Sequence, residues 1–137
     1  LAKELGISGR VIFTGRIEDV SGYLARLQVG VICSDSEGLS NALLEYMFRG
    51  VAAVATEVGG NTELVEHGVT GLSVPPDNPQ ALADALIRLI EQPEHRQKLA
   101  RSARSQVEKT YSWDQCLAEH GRVYDSLLQS KKRELPA

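Results

Sequence analysis

The 137-residue chain is 42% apolar and 24% charged, with a formal net charge of −3. That composition fits one packed domain and points away from nucleic acid as a partner. No apolar run reaches the roughly 18 residues of a membrane span. Cys33 and Cys116 lie far apart, one in strand-like and one in helix-like sequence. They read as free thiols in a reducing compartment, hence a cytoplasmic chain.

Leu1 to Gly6 reads as the end of a helix stopped by glycine. The only methionine is Met47, so the chain reads as one entered partway through a fold. Val11-Ile12-Phe13-Thr14 is strand-like, and Ile17 to Leu27 reads as a short helix. Val29 to Cys33 is a second strand, Ser40 to Arg49 a helix stopped by Gly50, and Ala52 to Thr56 a third strand. A Gly59-Gly60 turn precedes a short helix over Thr62 to Glu66, and Leu72-Ser73-Val74 is a fourth strand. These strands do not alternate with polar residues, as expected of a parallel sheet covered on both faces. The fold class is therefore α/β, with about four mostly parallel strands.

The last third is helical. Asn78-Pro79 starts a helix whose apolar stripe is Leu82, Leu86, Leu89 and Ile90. A second helix runs from Pro93 to about Thr110. Ser112-Trp113-Asp114-Gln115 is a capping box for a third, which is expected to turn Leu117, Val123, Tyr124, Leu127 and Leu128 largely inward. Trp113 is expected to anchor the core. Lys131-Lys132-Arg133 reads as a solvated helix end, and residues 131–137 as a tail. His67, His95 and His120 show no metal-ligand spacing.

The chemistry concentrates in Ser36-Glu37-Gly38-Leu39-Ser40-Asn41-Ala42-Leu43-Leu44-Glu45. Ser40 or Asn41 can open a helix whose free N–H groups face a phosphate. Gly38 permits close backbone approach to a ligand. Glu37 stays in the loop beyond a strand, where ligands of open α/β sheets bind. Glu45 lies about one turn into the helix. Carboxylates accept hydrogen bonds in pairs, which suits a ribose diol or sugar hydroxyls. Spacing alone favours a cap at Ser40, a solvated Glu37 and a surface Glu45 over a ligand site.

The longer run decides between these. Ser34 to Met47, followed by Gly50 to Val65, resembles the donor-binding half of retaining GT-B glycosyltransferases of group 1, or family 4, type. The pattern there is roughly S-x-x-E-G-x-x-x-x-x-L-E-A-M-A-x-G-x-P-V-V-A-T-x-x-G-G-x-x-E. Val11 to Arg16, Gly68 to Pro76 and Tyr111-Ser112-Trp113 resemble its flanking segments. The resemblance spans residues 1–130, making them a partial, Rossmann-like nucleotide-sugar-binding domain.

It implies that Glu37 contacts the transferred sugar and Glu45 the nucleotide ribose. Backbone N–H groups of Gly38, Leu39, Ser40 and Asn41 would hold sugar hydroxyls and the diphosphate, and Arg16, or the backbone beside it, would contact the base; Arg16 reads equally as a surface loop arginine. The substrate implied is a nucleoside diphosphate sugar, with no further cofactor and no metal. The parent enzyme implied is cytoplasmic, peripheral at the inner membrane face. Departures are Tyr46 and Phe48 in place of two alanines, and the loss of a proline after Gly50.

The family's N-terminal acceptor domain and the first two donor-domain strands have no counterpart in this sequence. In the doubly wound order 3-2-1-4-5-6 those strands would separate Val11–Thr14 from Val29–Cys33. The first segment is therefore expected to close onto the second, or a second copy to fill the gap by strand swapping and form a homo-oligomer. A non-catalytic assembly module derived from this fold is the competing reading.

Overall fold

The structure, a computed structural model, describes residues 1–134. Three strands, β1 (Val29–Ile32), β2 (Ala52–Thr56) and β3 (Leu72–Val74), form a parallel sheet in the order β1-β2-β3. Val29 pairs with Ala52, and Val54 with Leu72. The helices are α1 (Val20–Leu24), α2 (Asn41–Arg49), α3 (Asn61–Leu64), α4 (Pro79–Glu91), α5 (Pro93–Thr110) and α6 (Trp113–Glu134). The expected α/β class and helical last third are both present.

The central strand explains the layering. All five residues of β2 are buried, and successive side chains leave a strand on opposite faces. Ala53 and Ala55 join Leu43 and Met47 of α2, Leu64 of α3, and Ala103 and Val107 of α5. Val54 joins Leu72, Val74, Leu89 of α4, and Leu99 and Ala100 of α5 on the other side. Burying side chains such as Leu43 and Met47, both 0% exposed, contributes about 1.5–3 kcal/mol each. The alanines keep the helices close to the sheet. Helix ends follow the sequence signals. Asn78 Oδ1 accepts from Ala81 N–H at 3.0 Å, with Pro79 opening α4. Gly50 takes the left-handed conformation (φ 68°) that ends α2.

Four expectations are corrected. Val11 to Thr14 is extended but belongs to no strand, so the sheet has three strands rather than about four. It does not close onto β1, and its Ile12 and Phe13 are exposed. A short apolar segment needs a ladder partner to become a strand, and among the described residues it has none. Leu117, Val123, Tyr124, Leu127 and Leu128 of α6 face outward rather than inward, because α6 leaves the body of the domain. Trp113 is 82% exposed rather than a core anchor. It sits at the first residue of α6, where the chain turns away from α5. Ile90 lies outside the α4 stripe, whose buried centre is Leu89.

α6 continues through the Lys131-Lys132-Arg133 triplet to Glu134, and the last residues of the expected tail lie outside the described residues. No helix among the described residues is long and apolar enough to cross a membrane. Cys33 and Cys116 are free and exposed.

Candidate functional site

The loops that leave β1 and β2 meet at the C-terminal edge of the sheet. Thr56, the last residue of β2, donates its Oγ1 to the Ser34 carbonyl at 2.6 Å. Asn61 Nδ2 in turn donates to the Thr56 carbonyl at 3.2 Å. The second loop docks on the first through backbone: Gly60 N–H donates to the Gly38 carbonyl at 3.0 Å. Neither glycine of that turn tolerates a side chain. A Cβ on Gly59 would overlap the Glu37 carbonyl oxygen, and one on Gly60 would overlap that of Gly38 and lie 3.1 Å from Leu39 Cα. The Gly59-Gly60 pair is thus a close-approach turn that shapes the Glu37–Leu39 loop.

Glu37 is half-buried, and its Oε1 accepts from Ser34 Oγ at 2.7 Å. Ser40 is buried and caps α2: its Oγ accepts from Leu43 N–H at 3.3 Å, and its carbonyl from Leu44 N–H at 3.1 Å. Gly38, Leu39 and Asn41 are exposed around that helix start. The free N–H groups there carry the positive end of the helix dipole, which favours an anion.

Glu45 is exposed on the flank of α2 that faces α1. With Val20, Ser21, Leu24, Phe48 and Arg49 it lines a cavity of about 260 Å³. Arg49 Nη2 donates to Ser21 Oγ across that cavity. Asp19 holds the start of α1 by accepting from Gly22 N–H at 2.8 Å. Arg16 is exposed in the segment before α1, and no hydrogen bond or ion pair among the described residues joins it to either glutamate.

Ser34, Thr56 and the α1 residues were not singled out by sequence reasoning. Ser34 and Thr56 stand in the run that carries the resemblance, but residue type alone does not say that they bond to each other. The bulky residues beside Glu45 are accommodated differently. Phe48 turns outward, whereas Tyr46 is half-buried against Gly30 of β1. Burial pushes the Tyr46 phenol up from its usual value, and the neighbouring Glu45 and Tyr23 push in the same direction. Among the described residues no cluster of three metal-ligating side chains forms.

The comparisons with known proteins bear on the family and the fold. A family model described as "Glycosyl transferases group 1" matches residues 1–92. The N-acetyl-alpha-D-glucosaminyl L-malate synthase of Bacillus anthracis is 30% identical over 132 residues, which cover 96% of this chain and 35% of that protein. Among solved structures, Anabaena HepE in complex with UDP superposes with a TM-score of 0.84 at 26% identity, covering 93% of this chain and 35% of that one. The C-terminal domain of the group 1 family protein LpcC from Francisella tularensis gives 0.75 at 30% identity, covering 82% and 59%. The chain spans about a third of the length of the curated relatives it matches.

Proposed function

Because the chain belongs to the group 1 glycosyl transferases, we propose that residues 1–130 are the partial donor-binding domain of a retaining GT-B enzyme of family 4 type. The parent would move a sugar from a nucleoside diphosphate sugar to an acceptor held by a further, N-terminal domain. Glu37 faces the transferred sugar and supports the positive charge that develops at its anomeric carbon. The N–H groups of Gly38, Leu39, Ser40 and Asn41 hold sugar hydroxyls and diphosphate, Glu45 the ribose diol, and Arg16 the base. Phosphate charge is met by the start of α2 and by basic side chains, so no metal or other cofactor is required.

The observation that carries this reading is the placement of the two glutamates around one capped helix start. Ser34 tethers Glu37 before it, and Glu45 lines the α1–α2 cavity after it. A second reading, a non-catalytic assembly module, is favoured by the open edge of β1 and the exposed apolar face of α6. In that reading Val11–Thr14 of one copy adds to β1 of another.

Titration with UDP-, GDP- and ADP-sugars, repeated on Glu45→Ala, separates the two. Nucleotide-dependent binding that weakens in the variant supports the donor site. No binding at millimolar concentration, together with a dimer by light scattering, supports the assembly module.

A further inference from the structure

Beside this site lies a contact that the sequence pattern does not anticipate. Gly30 is buried in the middle of β1, and the Tyr46 ring lies directly over it. A Cβ on Gly30 would fall 2.5 Å from Tyr46 Cδ2 and 2.7 Å from its Cγ. No ordinary packing allows that separation, so the ring occupies the volume any other residue at position 30 would need. Glycine weakens a strand interior and often marks a close approach. Here the approaching group is an aromatic side chain standing where the family pattern has alanine.

We propose that Tyr46 and Gly30 form a size-matched pair that fixes the seat of α2 on β1 and thereby positions Glu45. The inference rests on the donor-site reading above. At 100° per residue, Tyr46 projects between the core-facing Leu43 and Met47 and the α1-facing Glu45 and Arg49. Leu43 and Met47 hold the helix on one side, and Arg49 reaches Ser21 on the other. The Tyr46 ring fills the space between them. Without it, α2 can roll toward β1 and carry Glu45 away from the cavity it shares with α1. Tyr46 is thus a positioning residue: it acts on a nucleotide through the placement of Glu45.

The test is calorimetric titration with UDP, GDP and ADP of the wild-type chain, Tyr46→Phe, Tyr46→Ala, Gly30→Ala and Gly30→Ala/Tyr46→Ala, each checked for a cooperative urea transition. Tyr46→Phe keeps the ring and binds the nucleotide that the wild type takes with the same affinity. Tyr46→Ala weakens binding about tenfold, and the double variant recovers part of that loss because the alanine at position 30 refills the space. Gly30→Ala alone is destabilised by the clash. If it fails to fold, folding of the double variant still shows the size match. A wild type that binds one of these nucleotides alongside a Tyr46→Ala variant that binds it equally well overturns the positioning role alone. A wild type that binds none of the three nucleotides overturns the donor-site reading and this role with it.

Discussion

Gly60→Ala isolates the contact that shapes the candidate site. Gly60 has φ −66° and ψ −9°, a conformation any residue adopts, so the substitution carries no backbone penalty. Its cost is steric. The new methyl would overlap the Gly38 carbonyl oxygen and crowd Leu39 Cα at 3.1 Å. Both neighbours are backbone atoms, which cannot move aside as a side chain can. Overpacking of this kind costs about 1–3 kcal/mol. Separating the loops also removes the 3.0 Å Gly60–Gly38 hydrogen bond, worth roughly 1 kcal/mol. A stiffer unfolded chain returns about 0.4–1 kcal/mol. The net expectation is a loss of about 2 kcal/mol, or ~6 °C in melting temperature for a domain of this size. The assay is urea and thermal unfolding by circular dichroism. Gly38→Ala serves as the internal comparison, since a Cβ there meets nothing within 4 Å, and its stability should change by no more than about 0.5 kcal/mol. A Gly60→Ala chain as stable as Gly38→Ala would refute the claim that the two loops are in backbone contact.

Three other outcomes are expected. Ser40→Ala should lower stability by about 1 kcal/mol through loss of the α2 cap, and Ser40→Gly by only a few tenths, measured as urea midpoints. Trp113→Ala should change stability by less than about 0.5 kcal/mol, because the indole is largely exposed; a loss of several kcal/mol would restore it as a core anchor. The folded state holds the Tyr46 proton more tightly than the unfolded chain does, since its phenol is raised above 10.0. That contribution is fully present below the unfolded value and is lost as pH rises through the folded one. Stability should therefore fall more steeply above pH 10 in the wild type than in Tyr46→Phe, and parallel profiles would count against burial of the phenol.

Where each element's own residues determine its structure, the fold was legible in the sequence. The alanine- and valine-rich run at 52–56 became the buried central strand, and Ser40, Gly50 and Asn78-Pro79 marked helix ends that the structure reproduces. Where the outcome depends on a partner, pattern was not enough. Val11–Thr14 has the composition of a strand, yet no ladder receives it. The amphipathic pattern of α6 was clear, but a pattern gives a face and not what that face meets, so its apolar residues stand exposed. At the candidate site the capped start of α2 could be read from residue types and spacing, whereas the roles of the two glutamates come only from the resemblance. The Thr56–Ser34 bond, the Gly60–Gly38 contact and the fit of Tyr46 on Gly30 join residues distant in sequence, and no local signal announces them.

The most direct test of the donor-site claim is residue-resolved. Amide resonances of the ¹⁵N-labelled chain are followed as UDP, GDP and ADP are added in turn. A donor site predicts saturable shifts concentrated at Gly38, Leu39, Ser40, Asn41 and Glu45 and along α1, which Glu45→Ala diminishes. Shifts confined to α4 and α5, or none with any of the three at millimolar concentration, would contradict it.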